Sequence, residues 1–127
     1  MKLRPRPFLL ALAVLCVSIA AKPPPLVFEA KEKKSTVSLE LGQELTVMLP
    51  TDGTDHVWQI VANDVRYLKE TSQIAPLPGG PTAGATVTFQ TNRGGHSRLS
   101  FVYVKPTENG ETTAADTRDI AVTITRP

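Results

Sequence analysis

The run Ser35-Thr36-Val37-Ser38-Leu39-Glu40-Leu41-Gly42-Gln43-Glu44-Leu45-Thr46-Val47-Met48-Leu49-Pro50 holds two apolar alternations separated by a glycine turn. Val37, Leu39 and Leu41 are spaced by Ser38 and Glu40. Leu45, Val47 and Leu49 repeat the same period until Pro50, which has no N–H to give to a ladder. A period of two puts alternate side chains on one face, so each segment reads as a half-buried strand.

The same grammar continues toward the C-terminus. Residues 57–62 form a third candidate, with Trp58, Ile60 and Ala62 on one face. Residues 66–75 are less regular and make a weaker one. Ala85, Val87 and Phe89 alternate with Thr86, Thr88 and Gln90; Leu99, Phe101 and Tyr103 follow, then Ile120, Val122 and Ile124. β-branched and aromatic residues fill these segments, and no stretch keeps helical spacing. The fold class is therefore all-β. Short strands with turns between them predict a β-sandwich, with Leu39, Leu45, Val47, Trp58, Ile60, Val87, Phe89, Leu99, Phe101, Ile120 and Val122 inside. A small barrel would turn the same residues inward, and the pattern does not separate the two.

Toward the N-terminus the chain changes character. Lys2, Arg4 and Arg6 precede an apolar run over residues 8–21, broken only by Cys16 and Ser18. Basic, apolar and small residues in that order predict a secretory signal peptide over residues 1–20, too short for a comfortable membrane span. Ser18 and Ala20 suit cleavage before Ala21, and a cut before Lys22 would serve as well. The expectation is a secreted or periplasmic protein with no membrane attachment after signal removal. Cys16 follows Leu15 rather than a small residue, so it reads as part of the apolar run, not as a lipid-bearing cysteine. Without it the mature chain has no disulfide, thiol nucleophile or cysteine ligand. Three of the 14 Lys and Arg lie in the signal, leaving 11 cations against 12 acids, a mature net charge of −1. Nothing in that balance points to nucleic acid or an anionic membrane. Residues 21–34, with Pro23-Pro24-Pro25 and Lys31 to Lys34, read as a stiff leader, and residues 35–127 as the single domain.

Candidate chemistry is sparse. Asp52, Asp55 and His56 suggest a metal cluster, but the ligand count is low, and Asp52-Gly53-Thr54-Asp55 is turn chemistry. His96 and Ser97, with Asp116 or Asp119, can be drawn as a triad. Neighbours on a strand point to opposite faces, which separates the base from the hydroxyl. Gly79-Gly80 lacks the strand, loop and helix setting of a phosphate cradle. No enzyme, metal site or cofactor is expected.

The loops at residues 51–57, 77–84 and 105–117 are where a rigid sandwich carries function. Leu41-Gly42-Gln43, then Val47-Met48-Leu49-Pro50, a polar loop and Trp58 resemble the chagasin-type inhibitors of papain-like cysteine peptidases. So do Gly79-Gly80, the Thr-rich strand to Phe89, a glycine turn, and the strand from Leu99 to Val104 followed by Lys105-Pro106. The resemblance spans roughly residues 35–124.

It implies an immunoglobulin-like β-sandwich whose three loops block the peptidase cleft reversibly, with a papain-like cysteine peptidase as partner and the inhibitor acting as a monomer. On this sequence the implied contacts are Asp52, Gly53, Thr54, Asp55 and His56 in the central loop, Gly79 and Gly80 in the second, and Lys105, Pro106 and Thr107 in the third. The family's central Asn-Pro-Thr-Thr-Gly-aromatic loop is rewritten here as residues 51–57, with Thr54 standing for one motif threonine. Its Arg-Pro-Trp becomes Lys105-Pro106-Thr107, which keeps a cation and the proline but loses the aromatic anchor. The alternative implied by these departures is an exported interaction module of the same fold with a different envelope or secreted partner.

Overall fold

Leu45, Val47 and Leu49 lie directly across from Phe89, Val87 and Ala85, and all six are buried. That cross-strand match of inward faces is what the two-residue period requires, and it pins the register of the pair. The computed structural model describes residues 23–106 and 114–126. They form eight strands: β1 (Leu26–Glu29), β2 (Lys34–Glu40), β3 (Glu44–Leu49), β4 (Val57–Ala62), β5 (Leu68–Pro76), β6 (Ala85–Thr91), β7 (Gly95–Val104) and β8 (Ala114–Thr125). One four-stranded sheet runs β1-β3-β6-β5 and the other β2-β8-β7-β4. The molecule is thus a two-sheet sandwich, and the barrel alternative is set aside. The expected signal peptide at residues 1–20 lies outside the described residues, as does Thr107.

The core is the contact between the two inner faces. Phe89, Phe101, Leu45, Leu99, Ile120, Val47 and Val87 are completely buried, each contributing roughly 1.5–3 kcal/mol by leaving water. Ten of the eleven expected core residues are buried. Ile60 is the exception: it is half-buried on β4, a short edge strand whose register shifts between Ile60 and Ala62.

The leader reading of residues 21–34 needs correction. Leu26–Glu29 pairs in parallel with β3, and Ala30 is buried in the core. The chain then crosses to the other sheet, where β2 pairs in parallel with β8 from Lys34↔Asp119 to Glu40↔Thr125. Residues 26–34 are thus part of the sandwich, and just before them the Gln43 amide donates to the Pro24 carbonyl at 2.8 Å.

Pairing also fixes the two poles of the sandwich. At one, the end of β3 and the end of β5 both meet the start of β6, through Leu49↔Ala85 and Pro76↔Ala85. In the other sheet the start of β4 meets the end of β7, which meets the start of β8, through Val57↔Val104 and Val104↔Ala114. The three long connections therefore leave from the same pole. The opposite pole carries the 41–43 turn, the turn at 92–94 and both ends of the described chain. Thr91, buried there, receives the Gly42 N–H at 2.8 Å and donates to the Gln43 carbonyl at 2.7 Å.

Candidate functional site

The β3–β4 loop begins where Pro50 ends its strand, and its first fastening comes from Trp58. The indole N–H donates to the Pro50 carbonyl at 2.7 Å, so a buried ring anchors the loop's base through its polar edge. Tyr103 stacks on Trp58 with centroids 4.8 Å apart, and His56 lies tilted over Tyr103 at 5.2 Å. Behind Trp58, the Arg118 guanidinium carbon sits 5.5 Å from the ring centroid. Four side chains from β4, β7, β8 and the loop form one column.

Arg118 is buried, with Nε and Nη1 engaged. It donates to the Ala30 carbonyl at 2.7 Å, to the Asp116 carboxylate at 2.6 Å and to the Thr117 carbonyl at 2.8 Å. Burial pushes the Asp116 carboxyl up, but Lys33, Arg118 and the Thr117 N–H outweigh it and hold the group below its ordinary range.

Asp52 organises the loop tip. Its Oδ1 accepts from the Thr54 hydroxyl at 2.6 Å, the Thr54 N–H at 3.1 Å and the Tyr103 hydroxyl at 2.9 Å. The Asp52 N–H in turn donates to the Tyr103 oxygen at 3.2 Å. Hydrogen bonds from Thr54 first, with a further one from Tyr103, lower the Asp52 carboxyl from 3.8 to about 2. Thr54 Oγ1 also meets His56 Nδ1 at 2.7 Å. Gly53, at φ 81°, supplies the left-handed residue that lets the turn close.

The β5–β6 loop is fastened to this one. Thr51 donates its hydroxyl to the Pro81 carbonyl at 2.7 Å and accepts the Gly84 N–H at 3.0 Å. Within the loop, the Leu77 N–H reaches the Gly84 carbonyl at 2.9 Å and the Ala83 N–H the Gly80 carbonyl at 3.1 Å. Gly80 is exposed, at φ 103°, and a Cβ there would meet nothing within 4 Å, so its backbone is open to close approach. Between the two loops lies a cleft of about 290 Å³, walled by Trp58, Ile74, Pro76, Pro81 and Tyr103, with His56 and Thr54 also lining it.

The expected contact residues thus come together in part. Asp52, Gly53, Thr54, Asp55 and His56 share one loop, bonded through Thr51 to the loop that carries Gly79 and Gly80. Lys105 and Pro106 are exposed just beyond Val104, which pairs with Val57 at the foot of the first loop. Thr51 and Pro81 lie inside the loops read from the sequence but outside its expected contacts, and nothing there ties Tyr103 to the loop. Tyr103 sits in an apolar alternation and reads as core, although a phenol at a strand end signals that its hydroxyl needs a partner.

The drawn triad does not assemble. His96 Nδ1 meets Thr123 Oγ1 at 3.3 Å, while Ser97 Oγ is buried without a hydrogen-bond partner among the described residues. Asp119 accepts from Ser100 at 2.6 Å and Asp116 is held by Arg118. Among the described residues no group of three or more His, Cys, Asp or Glu side chains could hold a metal ion.

No protein-family model matches the chain, and no curated protein does. Solved structures match by fold. The cysteine protease inhibitor EhICP2 from Entamoeba histolytica aligns with a TM-score of 0.66 at 17% identity, covering 80% of this chain and 95% of that one. Amebosin aligns with a TM-score of 0.54 at 16% identity, over 83% of this chain and 99% of its own. PbICP-C, solved in complex with falcipain-2, aligns with a TM-score of 0.51 at 18% identity, over 80% and 99%. At these identities the likeness is one of fold. The sandwich is that of the chagasin-type inhibitors, immunoglobulin-like, as the sequence resemblance implied.

Proposed function

We infer that the chain is a reversible, loop-mediated protein inhibitor of papain-like cysteine endopeptidases, exported by its N-terminal signal and acting as a monomer in the periplasm or outside the cell. The observation that carries this reading is the fastening of the β3–β4 and β5–β6 loops into one edge, through Thr51 to Pro81 and Gly84, at the pole where Lys105-Pro106 also emerges. A preorganised edge loses little ordering entropy when it enters a cleft, and blocks it without offering a bond to cut. The fold shared with EhICP2 and PbICP-C supports the same reading. Asp52, Gly53, Thr54, Asp55 and His56 form the central wedge, flanked by Gly79-Gly80 and Lys105-Pro106.

Steady-state inhibition of papain by residues 21–127 is the test. Competitive inhibition that substrate reverses, with the inhibitor intact by mass after incubation, is the expected result. Gly80→Arg, which places a long cation where the backbone lies open, is expected to weaken it by at least about 30-fold, as the loss of a hot spot does. No inhibition at high micromolar concentration would overturn the reading and direct the search to another exported partner.

A further inference from the structure

The proton count in the β3–β4 loop is fixed by its geometry. An ionised carboxylate only accepts, so the single Thr54 hydroxyl proton goes to Asp52, 2.6 Å away. Thr54 Oγ1 then has only lone pairs to offer His56 Nδ1 at 2.7 Å, and the imidazole must carry its proton on Nδ1. Neutral His56 therefore leaves Nε2 as a bare acceptor, with no hydrogen-bond partner among the described residues. The ring is held in place by its tilt on Tyr103, itself stacked on Trp58.

His56 lines the cleft between the two loops, whose other walls are the apolar surfaces of Trp58, Ile74, Pro76, Pro81 and Tyr103. The cleft, about 290 Å³, is of a size to take one large side chain, not a cofactor. We propose that this cleft receives an aromatic side chain of the partner that bears a ring N–H or O–H, with His56 Nε2 accepting its proton donor. The inference rests on the inhibitory pole described above and names the partner chemistry that pole selects. An apolar side chain would fill the walls and leave Nε2 desolvated and unpaired, which a donor-bearing ring avoids.

Protonation of the imidazole abolishes the selection. Protonated His56 keeps its Nδ1–H bond to Thr54, but Nε2 becomes a donor and rejects another donor. The ionisable groups facing the imidazole are Asp52, through Thr54, and the Tyr103 phenol beneath the ring; Asp55 precedes it in the chain.

Indole and 1-methylindole, which share a shape but differ in the N–H, are the probes. They are titrated into the ¹⁵N-labelled protein of residues 21–127, while the histidine nitrogen shifts report the tautomer. The expected result is an Nδ1–H tautomer for His56, with indole perturbing Trp58 and Ile74 about tenfold more tightly than 1-methylindole. That preference is expected to vanish in His56→Phe and at a pH where His56 is protonated. An Nε2–H tautomer, equal binding of the two probes, or no binding in the cleft would each overturn the proposal. Papain inhibition, measured separately, tells the two readings apart. Inhibition without indole selectivity leaves the inhibitor standing and removes this inference; selectivity without inhibition does the reverse.

Discussion

At the scale of single residues, the loop's shape depends on Tyr103 and Asp52. Tyr103→Phe keeps the stack on Trp58 but deletes both hydrogen bonds to Asp52. It is expected to cost about 1 kcal/mol in urea denaturation and to weaken papain inhibition more than that loss of stability explains, since the loop loses its fastening to β7. Asp52 also sets a pH limit. Its folded value of about 2 lies below the ordinary 3.8, so its contribution is complete above 3.8 and lost as pH falls through about 2. The Thr54 amide resonance is expected to show an acid transition below 3.8 that Asp52→Asn abolishes. The local bond from the Thr54 N–H to Asp52 was legible as turn chemistry, but the contact with Tyr103 was not. Asp52 and Tyr103 stand 51 positions apart, and a turn-forming Asp looks the same whether or not a phenol reaches it.

At the scale of elements, legibility followed the regularity of the strands. β3, β6, β7 and β8 each bury one face in clean alternation, so the two-residue period found them. β5 was read weakly because its register shifts twice, between Glu70 and Ser72 and again between Ser72 and Ala75, which scrambles the alternation around the fully buried Leu68. β1 was missed because it is only four residues long and follows three prolines: Leu26 and Phe28 turn inward, but Val27 between them is an exposed apolar residue that blurs the alternation. Arg118 was missed and Asp116 was read only as part of the 105–117 loop and as a triad candidate, because only the fold shows them as an ion pair, with the buried Arg118 guanidinium against Trp58. β1 also does more than extend a sheet. Removing it strips the Ala30 carbonyl from Arg118 and uncovers the edge of β3. A chain beginning at Lys33 is therefore expected to be less stable by roughly 3 kcal/mol or more in urea denaturation than one beginning at Ala21. An unchanged midpoint would restore residues 21–34 to the role of a mere leader.

At the scale of the whole molecule, the sandwich puts the ends of the described chain and its three long connections at opposite poles. The 41–43 and 92–94 turns lie with the chain ends. The fold was legible as a resemblance in the order of turns, glycines and Trp58, and it was found as such. The contact surface was legible only as positions, because its rewritten motif is held by a network that exists only once the two sheets are packed. The measurement that reaches the proposed contact pole most directly is amide hydrogen exchange of residues 21–127, free and bound to a papain-like peptidase inactivated at its nucleophile. Protection is expected over residues 51–57 and 79–84 and at Lys105, with exchange unchanged at residues 41–43 and 92–94. Protection at the 41–43 and 92–94 turns, with the loops at 51–57 and 79–84 exchanging as in the free protein, would contradict it.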